Sequence, residues 1–246
     1  ALGQLRTLTR SLDELLSHAV RPHARRPLAS VLADATALAG WQALDLGDLD
    51  QSWRLHERAK AAAREAGDVP GLAHAMGQQA YVLLDLGCQA DAVDLLEAAR
   101  AQATGHAPAV LQAWLLAALA EAHAVAGHDL AARRALDRAG AALPDTDPSP
   151  LAYITLDAAH LARWRGNVLA CLGDQAATSE LLAARDGMDG SFTRARASLE
   201  CDIARALLVQ RERKVALRHA ARAREFARRV GSIRQRRRVE ALALSS

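Results

Sequence analysis

The sequence predicts an all-α chain of repeated helical hairpins, and three observations carry that prediction. First, the apolar half of the composition is mostly Ala and Leu, with aromatics at only 3%. That mixture favours helix over sheet, because alanine and straight-chain residues lose little on entering a helix. Second, the turn Leu46-Gly47-Asp48 recurs as Leu86-Gly87-Cys88, Ala126-Gly127-His128 and Leu172-Gly173-Asp174, its glycines 40, 40 and 46 residues apart. A period of this size is the mark of stacked repeats. A fifth copy carries Arg211 where the glycine is expected, 38 residues after Gly173. Third, small residues stand at fixed distances from each turn. Gly40, Ala80, Ala120, Gly166 and Ala204 precede it by seven, and Ser52, Ala92, Ala132, Thr178 and Ala216 follow it by five. Twelve after it come Ala59, Ala99, Ala139 and Ala223, with Arg185 the exception. Small side chains at these registers let paired helices approach closely.

The elements follow in order. Residues 1–26 read as an N-terminal helix or connector whose Leu5, Leu8, Leu12, Leu15 and Leu16 form an apolar stripe. Residues 27–230 read as five hairpins. Pro27, Pro70, Pro108 and Pro150 precede the turn glycines by 20, 17, 19 and 23 residues, where proline starts a helix without losing a needed hydrogen bond. At each turn a left-handed glycine ends the first helix. Asp48 is placed to cap the next helix, with Gln51 completing a capping box. "PDTDPSP", 144–150, fills the wider fourth interval as a rigid loop, and residues 231–246 read as a capping segment. The whole is expected to form one domain over 1–246.

With these registers in view, the chain resembles a tetratricopeptide-repeat (TPR) protein, with small residues at the three repeat positions that family uses and a Gly-Asp-like turn between them. Its departures are a period near 40 rather than about 34 and Ala43, Leu83, His123 and Leu169 where an aromatic is usual. "LAGWQALDLGDLDQSWRLHERAKAAAREAGD", from residue 38, resembles in addition the C-terminal sensor regions of bacterial helix-turn-helix regulators. The resemblance implies a right-handed superhelix (solenoid) of about five TPR-like hairpins with terminal capping helices. Its concave groove is lined by the first helix of each pair.

Carried over by position, the groove registers supply Asp34, Trp41 and Asp45 from the first repeat and His74, Tyr81 and Asp85 from the second. The third supplies Trp114 and Glu121, the fourth His160, Arg163 and Asn167, and the fifth Ser198, Cys201 and Arg205. Acids gather early and arginines late. Aromatic platforms between them suit a zwitterionic small molecule or a short peptide.

Other classes find little support in the sequence. There is no GxSxG, P-loop or glycine-rich dinucleotide motif, and "HERAK", 56–60, begins like a zinc-protease helix and then ends in lysine. No catalytic constellation, cofactor or metal site is therefore expected. Cys88, Cys171 and Cys201 lie far apart, which reads as buried, reduced thiols. The longest apolar stretch, 109–120, is too short to cross a bilayer. Trp53 and Trp164 fall outside the groove registers and read as packing residues, and His123 as a core histidine. The run Arg234, Arg236, Arg237 and Arg238 reads as a solvated face of the cap, with phosphate binding as the rival. The functional expectation is a cytoplasmic, non-catalytic sensor module of a bacterial transcriptional regulator, with a homodimer among its expected assemblies. DNA would be met only through a domain outside this sequence. The alternative is a scaffold docking a partner protein's helix or tail.

Overall fold

The computed structural model describes residues 2–145, 154 and 156–244. Among them are twelve helices and no strand. They are α1 (Leu2–His18), α2 (Pro22–Asp45), α3 (Leu49–Ala66), α4 (Val69–Leu86), α5 (Gln89–Ala103) and α6 (Ala109–Val125). There follow α7 (Asp129–Ala142), α8 (Ala158–Cys171), α9 (Ala177–Gly187), α10 (Thr193–Val209), α11 (Arg213–Val230) and α12 (Ile233–Leu244). The fold is all-α: five successive hairpins from α2/α3 to α10/α11, with α1 packed on α2 and α12 packed on α10 and α11. None of the helices among the described residues is long and apolar enough to cross a membrane.

The chain divides into two compact units, the change falling within α6 between Leu115 and Leu116. In the first, Leu12 and Leu16 of α1 pack on Leu32 and Ala29 of α2 and on Ala62 and Ala63 of α3. In the second, Ala120 and Ala124 pack on Ala132 and Leu136, and Leu181 packs with Leu199 and Ile203. Alanine-rich faces of this kind let helix backbones come close, both within a hairpin and between neighbouring ones.

Turn geometry repeats as closely as the turn sequence. Gly47, Gly87, Gly127 and Gly173 have φ of 74°, 79°, 77° and 74°. At the first, the Gly47 amide donates to Leu44 and the Asp48 amide to Ala43, each at 2.9 Å, the paired bonds that close a helix end through a left-handed residue. Arg211 makes the same pair, its own amide to Leu208 at 3.0 Å and that of Glu212 to Leu207 at 2.9 Å, with φ of 63°. It is the one non-glycine with positive φ among the described residues.

Four expectations change. Helix α2 begins at Pro22, and Pro27 lies inside it. The missing amide falls early enough in the helix that only one bond near its start is lost. The capping box is one-sided: the Gln51 amide donates to Asp48 Oδ1 at 3.1 Å, but the Gln51 side chain accepts from Arg6. In the fourth hairpin α9 starts four residues after the turn glycine rather than two. The small-residue register slips by one, so that Ala177 and Ala184, at 0% and 3% exposure, take the places expected of Thr178 and Arg185. Of the cysteines only Cys201 is buried, Cys88 and Cys171 being half-buried. Residues 146–150 of the expected rigid loop, with Pro150, lie outside the described residues.

Candidate functional site

In the first unit the predicted aromatic residues come together as a row. Trp41 of α2 meets Tyr81 of α4 edge-on, with centroids 5.4 Å apart and planes at 90°. Tyr81 lies 6.4 Å from Trp114 of α6, and His74 lies 5.3 Å from Trp114 on another side. Gly77, one turn along α4 from both, makes room for this: a Cβ there would stand 2.7 Å from Trp114 Cζ3. Trp41 is half-exposed, whereas Tyr81, Trp114 and His74 are buried. The rings of Tyr81, Trp114 and His74 are engaged with one another, so of the expected stacking platforms Trp41 offers the most open ring.

Beneath this row lies a polar core that the groove registers do not include. His56 of α3 is fully buried against Gly40, where a Cβ would come within 2.7 Å of the imidazole. Its Nδ1 is 2.8 Å from the Ser52 carbonyl oxygen and its Nε2 is 3.4 Å from the Gln78 side-chain amide. The Ser52 hydroxyl donates to the Gly40 carbonyl at 2.8 Å. Burial pushes His56 down to about 4, and burial, aided by the His56 charge, pushes His74 to about 4. Among the acids, Asp34 is half-buried and raised by burial and by the Asp68 charge. Asp45 is buried and Asp85 exposed.

The second unit gathers a charged cluster on α6, α8, α10 and α12. Trp164 Nε1 donates to Glu121 Oε2 at 2.9 Å, and the Arg163 guanidinium lies 5.2 Å from the Trp164 ring centre. Arg238 donates to Asp202 Oδ1 at 2.7 Å and to the Ser198 hydroxyl at 2.9 Å. Arg163 reaches the same hydroxyl at 3.5 Å and Asp202 Oδ2 at 3.8 Å. Asp202 is wholly buried, and its Oδ2 and the Nε of Arg163 lack a hydrogen-bond partner. Burial would raise Glu121, but the Arg238 charge, the Trp164 indole and Arg163 together hold it below the ordinary carboxylate value. Burial likewise disfavours the Arg238 charge, and Asp202 more than reverses this.

Arg205 is the exception within the cluster. Its Nη1 donates to Cys171 Sγ at 2.7 Å, and Cys171 in turn lies 3.8 Å from the oxygen of the buried Asn167 side chain. Burial raises Cys171 above an ordinary thiol despite Arg205, so the guanidinium rests on a neutral sulfur, a weak acceptor. Arg163, Arg234 and Arg238 thus bear on the carboxylates of Glu121 and Asp202, whereas Arg205, resting on the thiol, is half-exposed. His160 stands apart: its Nδ1 lies 2.8 Å from Asp157 Oδ1, which also accepts the His160 amide and so caps α8. Its ring packs edge-on against Phe192 at 5.2 Å.

Of the expected site residues, the structure brings Glu121, Arg163, Asn167 and Arg205 into one neighbourhood. Trp164, expected as plain packing, belongs to it through its indole N–H. Asp202 was missed, and Arg238, expected with Arg234, Arg236 and Arg237 on a solvated face of the cap, is corrected: Arg236 and Arg237 are exposed, but Arg238 turns onto Asp202 and Ser198. A signal for Arg238 did exist, since Arg163, Ser198 and Arg238 are each the sixth residue of their helices. Counting back from turns could not find it, because no such turn follows α12 among the described residues. His123 is not a core histidine: it is half-exposed beside the Gly127 turn, its Nδ1 3.3 Å from that of His128. Among the described residues no group of three or more His, Cys, Asp or Glu is placed to hold a metal ion.

No family model matches this chain, and no curated protein matches it. Among solved structures it is similar to the nearly identical, kinesin light chain-like TPR-like repeats of Podosopora anserina, at 16% identity and a TM-score of 0.47. The likeness covers 80% of this chain and 95% of that one. A variant of the same repeats carrying one substitution gives 16% identity, the same coverage and a TM-score of 0.48.

Proposed function

We propose that this chain is a non-catalytic binding module that holds a carboxylate-bearing ligand, a short peptide or a small acid, on the α8–α10–α12 face of its second unit. One observation carries the reading: Arg205 offers a half-exposed guanidinium whose hydrogen-bond acceptor is a thiol, beside two further arginines already balanced by Asp202 and Glu121. An incoming carboxylate would replace a weak acceptor by a strong, bidentate one. Arg163 and Arg238 are held in place by their own partners, so little ordering is left to be done on binding. Asn167 and the Trp164–Glu121 pair set the apolar and polar edges of the same neighbourhood. On this reading the ligand lies at the arginine end of the surface predicted from sequence, and the buried aromatic row has a structural role. A sensor role within a transcriptional regulator would be a use of this site, and it rests on the resemblance of residues 38–68 alone.

The test is a fluorescence-anisotropy screen of the full chain against peptides with a free or an amidated C-terminus, each also made with and without an acidic side chain. Binding that depends on a carboxylate, falls about tenfold or more in Arg205→Ala and survives in Trp41→Ala supports the reading. Carboxylate-independent binding, or binding indifferent to Arg205, overturns it.

A further inference from the structure

We infer that the outer face of α11, with the crevice it forms against α10 and α12, docks an acidic polypeptide segment that inserts one apolar side chain. Residues 211–240 hold twelve of the 31 basic residues and three of the 28 acidic ones. The chain carries only +3 in all, so the remainder is net acidic and the basicity is a local feature of this region. On α11 the buried face is Ala216, His219, Ala223 and Ala227. The opposite face is exposed and carries Lys214, Arg218 and Arg222 at steps of four, with Arg224 and Arg228 beside them. The one acid on α11, Glu225, is already paired with Arg228.

What separates this face from an ordinary solvated one is the crevice next to it. Ala204, Leu208, Leu217, Ala220, Val239 and Leu242 line a gap of about 60 Å³, and Arg224 is the charged residue at its rim. Leu217 remains 52% exposed among the cations. A gap of that size takes one branched aliphatic side chain. Nucleic acid has none to offer, and a single strand would lack a free ring to stack on here. The candidate, Phe226, is already occupied by guanidinium groups, with Arg196 at 5.0 Å and Arg229 at 6.0 Å. An amphipathic acidic segment satisfies both halves of the surface, its carboxylates on the arginines and its apolar side chain in the gap.

The residues used here are separate from Arg163, Arg205 and Arg238, so either site can fail without the other. The probes are a fluorescein-labelled glutamate-rich peptide with one leucine, its Leu→Ser twin, and a single-stranded oligonucleotide of equal charge, titrated against the full chain. The leucine peptide is expected to bind about tenfold tighter than its twin. Ala220→Glu, which places an acid in the crevice, is expected to abolish that preference, and Arg224→Glu to weaken both peptides, with helical content unchanged by circular dichroism. Equal binding of the twins overturns the inference. So does an oligonucleotide that binds more tightly than either peptide and is indifferent to Ala220→Glu, or a failure of both peptides to bind at low salt.

Discussion

Acidifying this protein from pH 7.5 to pH 5 is expected to loosen helices α3 and α4 before the rest of the chain, because two imidazoles buried there resist taking up a proton. His56 and His74 are held near 4, burial being the first cause in both, against about 6.5 for an ordinary histidine. Between those values the unfolded chain binds protons that the folded chain refuses. Their stabilising contribution is therefore complete above about pH 6.5 and is lost as pH falls towards 4. At pH 5 each histidine accounts for a loss of about 2 kcal/mol, at ~1.4 kcal/mol per pH unit, so the pair removes about 4 kcal/mol. Asp34, raised by burial and by Asp68, works in the opposite sense, but only where carboxylates titrate. Hydrogen exchange followed by mass spectrometry, corrected for the intrinsic rate at each pH, reads this directly. Protection in peptides from α3 and α4 should fall by two to three orders of magnitude, on the order of 4 kcal/mol, and fall further than in α10. His56→Gln should remove about half of the pH-linked loss. Equal losses in α4 and α10, or a loss unaltered by His56→Gln, would refute the reasoning.

Arg211→Gly should stabilise the fifth hairpin by about 1 kcal/mol, since a left-handed conformation strains every side chain but glycine's, and a thermal melt of the variant checks it. Gly166→Ala should cost ~1–3 kcal/mol through overpacking, because its Cβ would lie 2.5 Å from Leu181 Cγ and 3.2 Å from the Leu181 backbone nitrogen. Urea unfolding monitored by circular dichroism measures that cost, and a neutral result would mean that α8 and α9 can part without penalty.

The turns were legible because a positive φ leaves a mark in the sequence: glycine four times, and at Arg211 a residue whose neighbours repeat the pattern around the missing glycine. The slip in the fourth hairpin was not, because in so alanine-rich a chain Ala177 and Thr178 are both small enough to pass as the close-packing residue. Only the burial of Ala184 in place of Arg185 decides between them. Periodicity did identify Trp41 and Tyr81 as residues of one face. It carries no information on whether water reaches that face, which depends on Gly77 admitting Trp114. His56 was hidden for a related reason: its pocket is made by the absence of a side chain at Gly40, sixteen residues away.

The charged cluster of the second unit poses a physical question that its geometry alone answers in part. Asp202 is wholly buried between Arg163 and Arg238, and burying such a triad costs desolvation that an apolar set of similar volume would not incur. If the triad served only to fix α12 against α8 and α10, an apolar replacement, Arg163→Met with Asp202→Leu and Arg238→Met, should fold at least as stably as the parent and lose nothing else. Asp202→Ala alone should be far worse, by about 3–5 kcal/mol, since it strands two guanidinium groups without their carboxylate. A triad retained for a ligand makes a different prediction. The apolar replacement would then stay folded yet lose affinity for the carboxylate ligand, because Arg205 would lose the two arginines beside it. Measuring stability and binding on the same triple variant therefore separates a fastening from a site. A stable triple variant that binds as the parent does would remove Arg163 and Arg238 from the site and leave Arg205 to carry it.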